Sequence, residues 1–72
     1  MYLLDVTRPS GKVERVGRFS DLAGALEVAA HNLKTFISGG MRGSAVLTDG
    51  KTGAVVFEGE ADGVSLDAQG VA

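Results

Sequence analysis

Residues 20–40 read Ser20-Asp-Leu-Ala-Gly-Ala-Leu-Glu-Val-Ala-Ala-His-Asn-Leu-Lys-Thr-Phe-Ile-Ser-Gly-Gly40, and this stretch decides the fold. Its large apolar residues recur three and four positions apart, so on a helix they occupy one arc, opposite Glu27, His31 and Lys34. The arc consists of Leu22, Ala25, Leu26, Ala29, Leu33, Phe36 and Ile37. The pattern predicts an amphipathic helix over residues 21–37.

Both ends of this helix carry termination signals. Ser20 is expected to be the N-cap, since a serine hydroxyl accepts a hydrogen bond from a free backbone amide of the first turn. Asp21 suits the positive end of the helix dipole. Gly39 and Gly40 predict a left-handed C-terminal stop. Val28 falls outside the apolar arc and is expected to face solvent or a partner.

Two hairpins flank the helix. Residues 2–7 and 12–18 are expected to be strands joined by a turn at 8–11, where Pro9 and the glycine at position 11 favour reversal. In the second strand, Val13 and Val16 fall on opposite faces, which predicts a β-bulge near residues 15–17.

The second hairpin is expected to comprise strands 43–48 and 54–59 around the loop 49–53. Pairing Thr48 with Ala54 makes one face fully apolar, so this register is favoured, with Leu47 opposite Val55. The fold class is therefore α+β. We predict a ββαββ order, with a four-stranded antiparallel sheet and one helix packed on one face.

The chain has 72 residues, which is the size of one small domain. We predict that residues 1–59 form the ββαββ domain. Residues 60–72 are acidic and glycine-rich, lack sustained periodicity and are expected to be a mobile C-terminal tail. The alternative for this tail is a short strand, or docking on a neighbour, at residues 64–66.

One helix covers only one face of the predicted sheet, and Leu3, Val46 and Val56 are expected at the centre of the other face. A patch of this kind can mark an interface, so we predict a homodimer that associates through the open sheet face or an edge strand. The alternative is that β-branched residues occupy exposed strand positions because they fit a pleated surface.

Charge is distributed unevenly along the chain. Residues 1–42 hold six basic and four acidic residues, whereas residues 43–72 hold one basic and five acidic residues. Lys12, Arg15 and Arg18 lie in the first hairpin, where they form a candidate basic patch for a partner. Their simpler interpretation is protection of an edge strand against aggregation. A net charge of −2 argues against general nucleic-acid binding.

Other motifs have simpler structural interpretations. Residues 45–52 resemble a phosphate-binding loop, but a strand follows where that motif needs a helix. The glycine-rich segment 38–44 follows a helix C-terminus, which repels anions. His31 lies on the polar face of the helix, and the residues Asp62, Ser65 and Asp67 lack the spacing of a calcium loop. We predict no catalytic residue, no cofactor and no metal site.

No apolar run approaches the ~20 residues of a membrane span, and the first residues lack the pattern of a secretory signal. The chain contains no cysteine, which is compatible with a cytoplasmic location. The sequence favours a small non-enzymatic protein-binding module with a protein partner, for example an inhibitor or adaptor of another protein. The alternative is a nucleic-acid-binding protein that uses the basic first hairpin.

Overall fold

A computed structural model describes residues 1–70 of the chain. Over these residues the chain forms five strands and one helix, and the α+β class and the ββαββ order of the first five elements are confirmed. The elements are β1 Tyr2–Thr7, β2 Val13–Phe19, α1 Leu22–Ser38, β3 Arg42–Asp49, β4 Val55–Asp62 and β5 Leu66–Gly70. The strands form one antiparallel sheet in the order β2-β1-β3-β4-β5, with β3 at its centre.

The sheet has five strands, so the prediction of four strands was wrong. β4 continues to Asp62, and β5 lies within the segment 60–72 that was expected to be a tail. The turn between them is formed by Asp62, whose carboxylate accepts hydrogen bonds from the amides of Val64 and Ser65 at 2.9 and 2.7 Å. The alternation of Leu66 and Ala68 with Asp67 and Gln69 covers only four residues, which is too short to predict a strand in a segment of small and acidic residues. Val71 and Ala72 lie outside the described residues.

The helix runs within one residue of its predicted bounds, but its N-cap is Asp21 and not Ser20. The Asp21 carboxylate accepts a hydrogen bond from the Gly24 amide at 3.1 Å. At the other end, Gly40 adopts a φ of 66° and its amide donates to the Ile37 carbonyl. The Met41 amide donates to the Phe36 carbonyl, which completes a Schellman motif and confirms the predicted glycine stop.

The core lies between α1 and one face of the sheet. Its buried residues are Ala25, Ala29, Leu33 and Phe36 from the helix, and Leu4, Val6, Ala45, Leu47 and Ala61 from the strands. Val28 is half-buried and packs against this core, so its predicted outward position was wrong. Gly43 and Gly59 face Phe36 and Leu33, and an added Cβ at either position would collide with these side chains. Small residues on the sheet thus let the helix approach closely.

Two bulges set the registers of the hairpins. In β2, Leu4 pairs with Gly17 and Asp5 with Arg15, so Val16 is the extra residue and the predicted bulge is confirmed. In β4, Leu47 pairs with Phe57 and Thr48 with Val55, so Val56 is extra. The predicted register was therefore wrong by two residues at Leu47, which was expected opposite Val55, and by one residue at Thr48, which was expected opposite Ala54. A bulge allows Phe57 to join the core side without moving the loop.

Candidate interaction surface

We define the open face as the side of the sheet opposite α1. Leu4 and Val6 point toward the helix, so Leu3, Asp5 and Thr7 point away from it. Residues directly opposite one another in antiparallel strands share a face, and the register therefore orders the open face into three rows across the sheet. The first row is Arg18, Leu3, Thr48 and Val55; the second is Arg15, Asp5, Val46 and Glu58; the third is Val13, Thr7, Ser44, Glu60 and Asp67.

Two apolar residues, Leu3 and Val46, lie near the centre of the open face. Leu3 and Val46 are both half-buried although no element of the described chain covers them. Val56, the third residue of the predicted patch, is the extra residue of the β4 bulge and packs against the core. The structure instead adds Val55 and Val13, which are 37% and 62% exposed, to the apolar residues on this side. The apolar residues of the open face are therefore Leu3, Val46 and Val55, which surround Thr48, and Val13, which lies apart from them on the edge strand β2.

The two lateral edges of the open face carry opposite charges. Arg15 and Arg18 lie on β2 at one edge, and Glu58, Glu60 and Asp67 lie on β4 and β5 toward the other. The three carboxylates line a shallow groove with Ser44 and Val46 at its floor. The open face thus has a basic edge and an acidic edge, and Leu3, Asp5 and Val46 lie between them. Sequence reasoning missed the acidic edge because it depends on the pairing of β5.

The basic patch predicted at Lys12, Arg15 and Arg18 is divided by the structure. Arg15 donates from Nε and Nη2 to the two carboxylate oxygens of Asp5 at 3.0 and 3.3 Å. This hydrogen-bonded ion pair raises the pKa of Arg15. Lys12 lies outside the strands, in the turn that precedes β2, whereas Arg15 and Arg18 share the open face.

A second ion pair lies in the same hairpin. Arg8 donates to Glu14 at 2.9 Å, and this hydrogen bond and the positive charge of Arg8 lower the pKa of Glu14. Two of the cations of the hairpin are thus already bound by carboxylates of the same hairpin. A contact to nucleic-acid phosphates would compete with both pairs.

The remaining motifs are explained by turns and helix ends. The Asp49 side chain accepts from the Lys51 amide and the Asp49 carbonyl from the Gly53 amide, so the segment that resembles a phosphate loop is a hairpin turn. His31 is exposed on α1, and its carbonyl accepts a hydrogen bond from Thr35. Within residues 1–70, no group of three or more histidine, aspartate or glutamate side chains is arranged to hold a metal ion.

Comparisons of the chain with models of protein families, with curated proteins and with solved structures gave no match. In the part of the chain that the structure describes, no helix has both the length and the apolar character needed to cross a bilayer. The open face combines uncovered apolar residues, Leu3 and Val46, with charged side chains at both of its edges.

Proposed function

We propose that the protein is a non-enzymatic protein-binding module that forms a homodimer through its open face. One observation carries this proposal: Leu3 and Val46 lie half-buried at the centre of a sheet face that α1 does not cover. Surfaces with an apolar centre and a polar rim are typical of protein interfaces. A second copy of the chain supplies such a surface.

The size of the open face sets the expected strength of the dimer. Five strands about 4.8 Å apart, each roughly 24 Å long, give a face on the order of 550 Å². Two such faces would bury on the order of 1,100 Å² in total, which is the low end of specific interfaces. We therefore expect a reversible dimer and not an obligate one.

The open face is favoured over an edge strand as the contact. The edge strand β2 contains a bulge at Val16 and carries Arg15 and Arg18, and both features discourage pairing with another strand. The centre of the open face has no bulge, because β3 pairs with β1 in one register from Tyr2–Asp49 to Thr7–Ser44.

The biological role that we propose is that of an inhibitor or adaptor, in which the dimer presents surfaces to another protein. The chain has no cysteine, which supports a reducing compartment such as the cytoplasm. A dimer formed through the open faces would leave the polar side of α1, with Glu27, His31 and Lys34, available for that second partner.

The test is a molar mass measured against protein concentration, by light scattering after size exclusion and by analytical ultracentrifugation. Wild-type protein is expected to shift from monomer to dimer as concentration rises. Val46→Asp should weaken the dimer at least about tenfold, since it places a carboxylate beside Glu58 at the centre of the interface.

Val64→Asp is the matched control, because it makes the same change at a residue in the β4–β5 turn that is 87% exposed. It should leave dimerisation unchanged. Val46→Thr keeps the β-branched shape and should weaken the dimer less than Val46→Asp. It still tests the interface if Val46→Asp fails to fold. A wild-type chain that stays monomeric at about 1 mM would remove the proposal.

A further inference from the structure

We propose that the outer edge of β5 binds an extended segment of another protein as an additional strand, and that this segment alternates basic and apolar residues. This inference deepens the proposed protein-binding function by naming the chemistry of the partner. It does not depend on the homodimer, because a dimer through the open faces covers one side of each sheet and leaves the outer edges of β2 and β5 unpaired.

The outer edge of β5 offers backbone hydrogen-bonding groups in a defined order. The Asp62 amide donates to the Ser65 carbonyl at 3.3 Å, so these two residues form a hydrogen-bonded pair of the β4–β5 hairpin. Hydrogen-bonded and non-hydrogen-bonded pairs alternate along antiparallel strands. Residues 66, 68 and 70 therefore direct their N–H and C=O groups away from β4. Among the described strands, none pairs with these groups.

β5 lacks the features that protect the opposite edge of the sheet. β2 carries a bulge at Val16 and the cations Arg15 and Arg18, and such features discourage the addition of a strand. β5, in contrast, pairs with β4 in one register without a bulge, and it contains no proline, lysine or arginine. Addition of an extended peptide to an exposed sheet edge is a common mode of recognition. Of the two edges, β5 is the one suited to it.

The two sides of β5 differ in chemistry. Asp67 lies on the open face in one row with Glu60, and Glu58 lies in the next row on β4. Leu66 lies on the helix side, opposite the buried Ala61, and it is 41% exposed because α1 packs mainly on β3 and β4. A strand added beside β5 therefore meets carboxylates on one side of the sheet and an uncovered apolar side chain on the other.

These surroundings set the pattern of the added strand. Opposite charges directly across antiparallel strands are stabilising, so a lysine or arginine is favoured opposite Asp67. A second basic residue, opposite position 69, lies in the row of Glu58. The residue between Asp67 and the hairpin turn is Leu66, and an apolar side chain is favoured opposite it. Successive side chains of a strand point to opposite faces, so basic and apolar residues alternate in the segment that fits.

A second copy of the chain fits this edge poorly. Antiparallel pairing of β5 with β5 around a two-fold axis would place the open faces of both copies on the same side of the joined sheet. The acidic residues Glu58, Glu60 and Asp67 of the two copies would then adjoin across the junction. Like charges at such positions are destabilising.

The probe is a fluorescently labelled peptide, Thr-Val-Lys-Val-Lys-Val-Thr, whose lysines fall opposite positions 67 and 69 and whose valines fall opposite 66, 68 and 70. Fluorescence anisotropy measures its binding at a protein concentration below that at which the molar mass rises. The peptide should bind at least about tenfold more tightly than the same peptide with glutamates in place of the lysines.

Charge reversal on the protein tests the contact with Asp67. Asp67→Lys should reduce the preference for the lysine peptide at least about threefold. Glu27→Lys is the matched control, because it makes the same change of charge at an exposed position of α1. It should leave the preference unchanged.

N-methylation of the peptide separates strand addition from simple charge attraction. In the bound peptide the valine amides bond to β5 and the lysine amides point away from it. Methylation of the central valine amide should weaken binding at least about tenfold, whereas methylation of a lysine amide should change it little. Both peptides are measured with the unaltered protein, so the result does not depend on how a variant folds. The bound peptide should also slow hydrogen exchange at the amides of Leu66 and Ala68.

Equal affinity for the lysine and glutamate peptides, or equal effects of the two N-methylations, would overturn the inference. Absence of binding at about 1 mM peptide would do the same. None of these results bears on the homodimer, which Val46→Asp and the dependence of molar mass on concentration test separately. Ala68→Pro removes one outward amide and keeps the bonds to β4. Loss of the dimer in this variant would assign the edge to a second copy and overturn the inference.

Discussion

Arg15 and Asp5 face each other across the β1–β2 hairpin, with Nε 3.0 Å from Oδ1 and Nη2 3.3 Å from Oδ2. They pair directly beside the bulge at Val16, which shifts the register of β2 by one residue. If the register of the first three pairs continued without the bulge, Val16 would be opposite Asp5 and Arg15 would be opposite Val6. The bulge therefore decides whether Arg15 is paired with a carboxylate on the open face.

The first prediction concerns this ion pair. A double-mutant cycle with Asp5→Asn and Arg15→Gln, measured by urea unfolding, should give a small stabilising coupling that falls as salt is added. The reason is that the side chains are 29% and 48% exposed, so solvent ions screen the interaction. The Arg8–Glu14 pair, in which both side chains are more than 40% exposed, is the control and should couple less. A coupling energy that does not change with salt would contradict the solvent exposure of these two side chains.

The second prediction concerns the start of the helix. Asp21→Ala should lower the free energy of unfolding by about 1 kcal/mol, because it removes the acceptor of the Gly24 amide. Ser20→Ala is the matched control and should change stability little, since Asp21 and not Ser20 caps the helix. Thermal unfolding followed by circular dichroism measures both. Equal losses in the two variants would show that the cap is shared.

The third prediction compares two glycines by the space around them. Gly59→Ala should destabilise the fold by about 1–3 kcal/mol, since the added methyl group would press against Leu33 and the Phe57 ring beneath the helix. Gly24→Ala should stabilise it by about 0.5–1 kcal/mol, because alanine favours a helix and its Cβ would make an ordinary contact with Asp21. Chemical denaturation of both variants should show changes of opposite sign in the free energy of unfolding. If Gly59→Ala stabilised the fold, the close approach of Leu33 and the Phe57 ring to Gly59 would be wrong.

The fourth prediction concerns pH and Asp62. Hydrogen bonds from the amides of Ser65 and Val64 and from the Ser65 hydroxyl lower the pKa of Asp62 below its ordinary value of 3.8. A lowered pKa in the folded state means that the contribution to stability is complete above 3.8 and is lost as pH falls through the folded value. The pKa is measured by NMR titration of the carboxyl carbon, with a peptide of residues 60–67 as the unfolded reference.

Asp62→Asn should remove this pH dependence. Its free energy of unfolding should therefore approach that of wild type as the pH is lowered below 3.8. An Asp62 that titrates in the folded protein at the same pH as in the peptide would contradict the turn geometry and with it the anchoring of β5.

Local patterns were sufficient for the helix and for the positions of the first four strands. The apolar arc of residues 22–37 and the glycines at its end define α1 without reference to the rest of the chain. The bulge near Val16 was also predictable, because the valines of β2 fall out of phase. These features depend on contacts between near neighbours, and such contacts are encoded locally.

Local patterns failed where pairing between strands decided the outcome. β5 has only a short alternation, of Leu66 and Ala68 with Asp67 and Gln69, and it joins the sheet through backbone pairing with β4 after the Asp62 turn. Alternation placed Phe57 on the same face as Ala45 and Leu47, but it did not reveal the bulge at Val56, which puts Phe57 opposite Leu47 and Val55 opposite Thr48. Val28 likewise contacts the core from outside the predicted arc.

The open face combines features that local patterns predict with features that depend on strand pairing. Leu3 and Val46 were predicted to lie there from the alternation of their strands, since side chains two residues apart share a face. The charge arrangement, with Arg15 and Arg18 at one edge and Glu58, Glu60 and Asp67 toward the other, required the strand order. By itself the sequence determined which residues alternate and where the helix begins and ends. Only the tertiary structure decided which strands are neighbours, because hydrogen bonds between distant segments of the backbone are independent of side-chain identity.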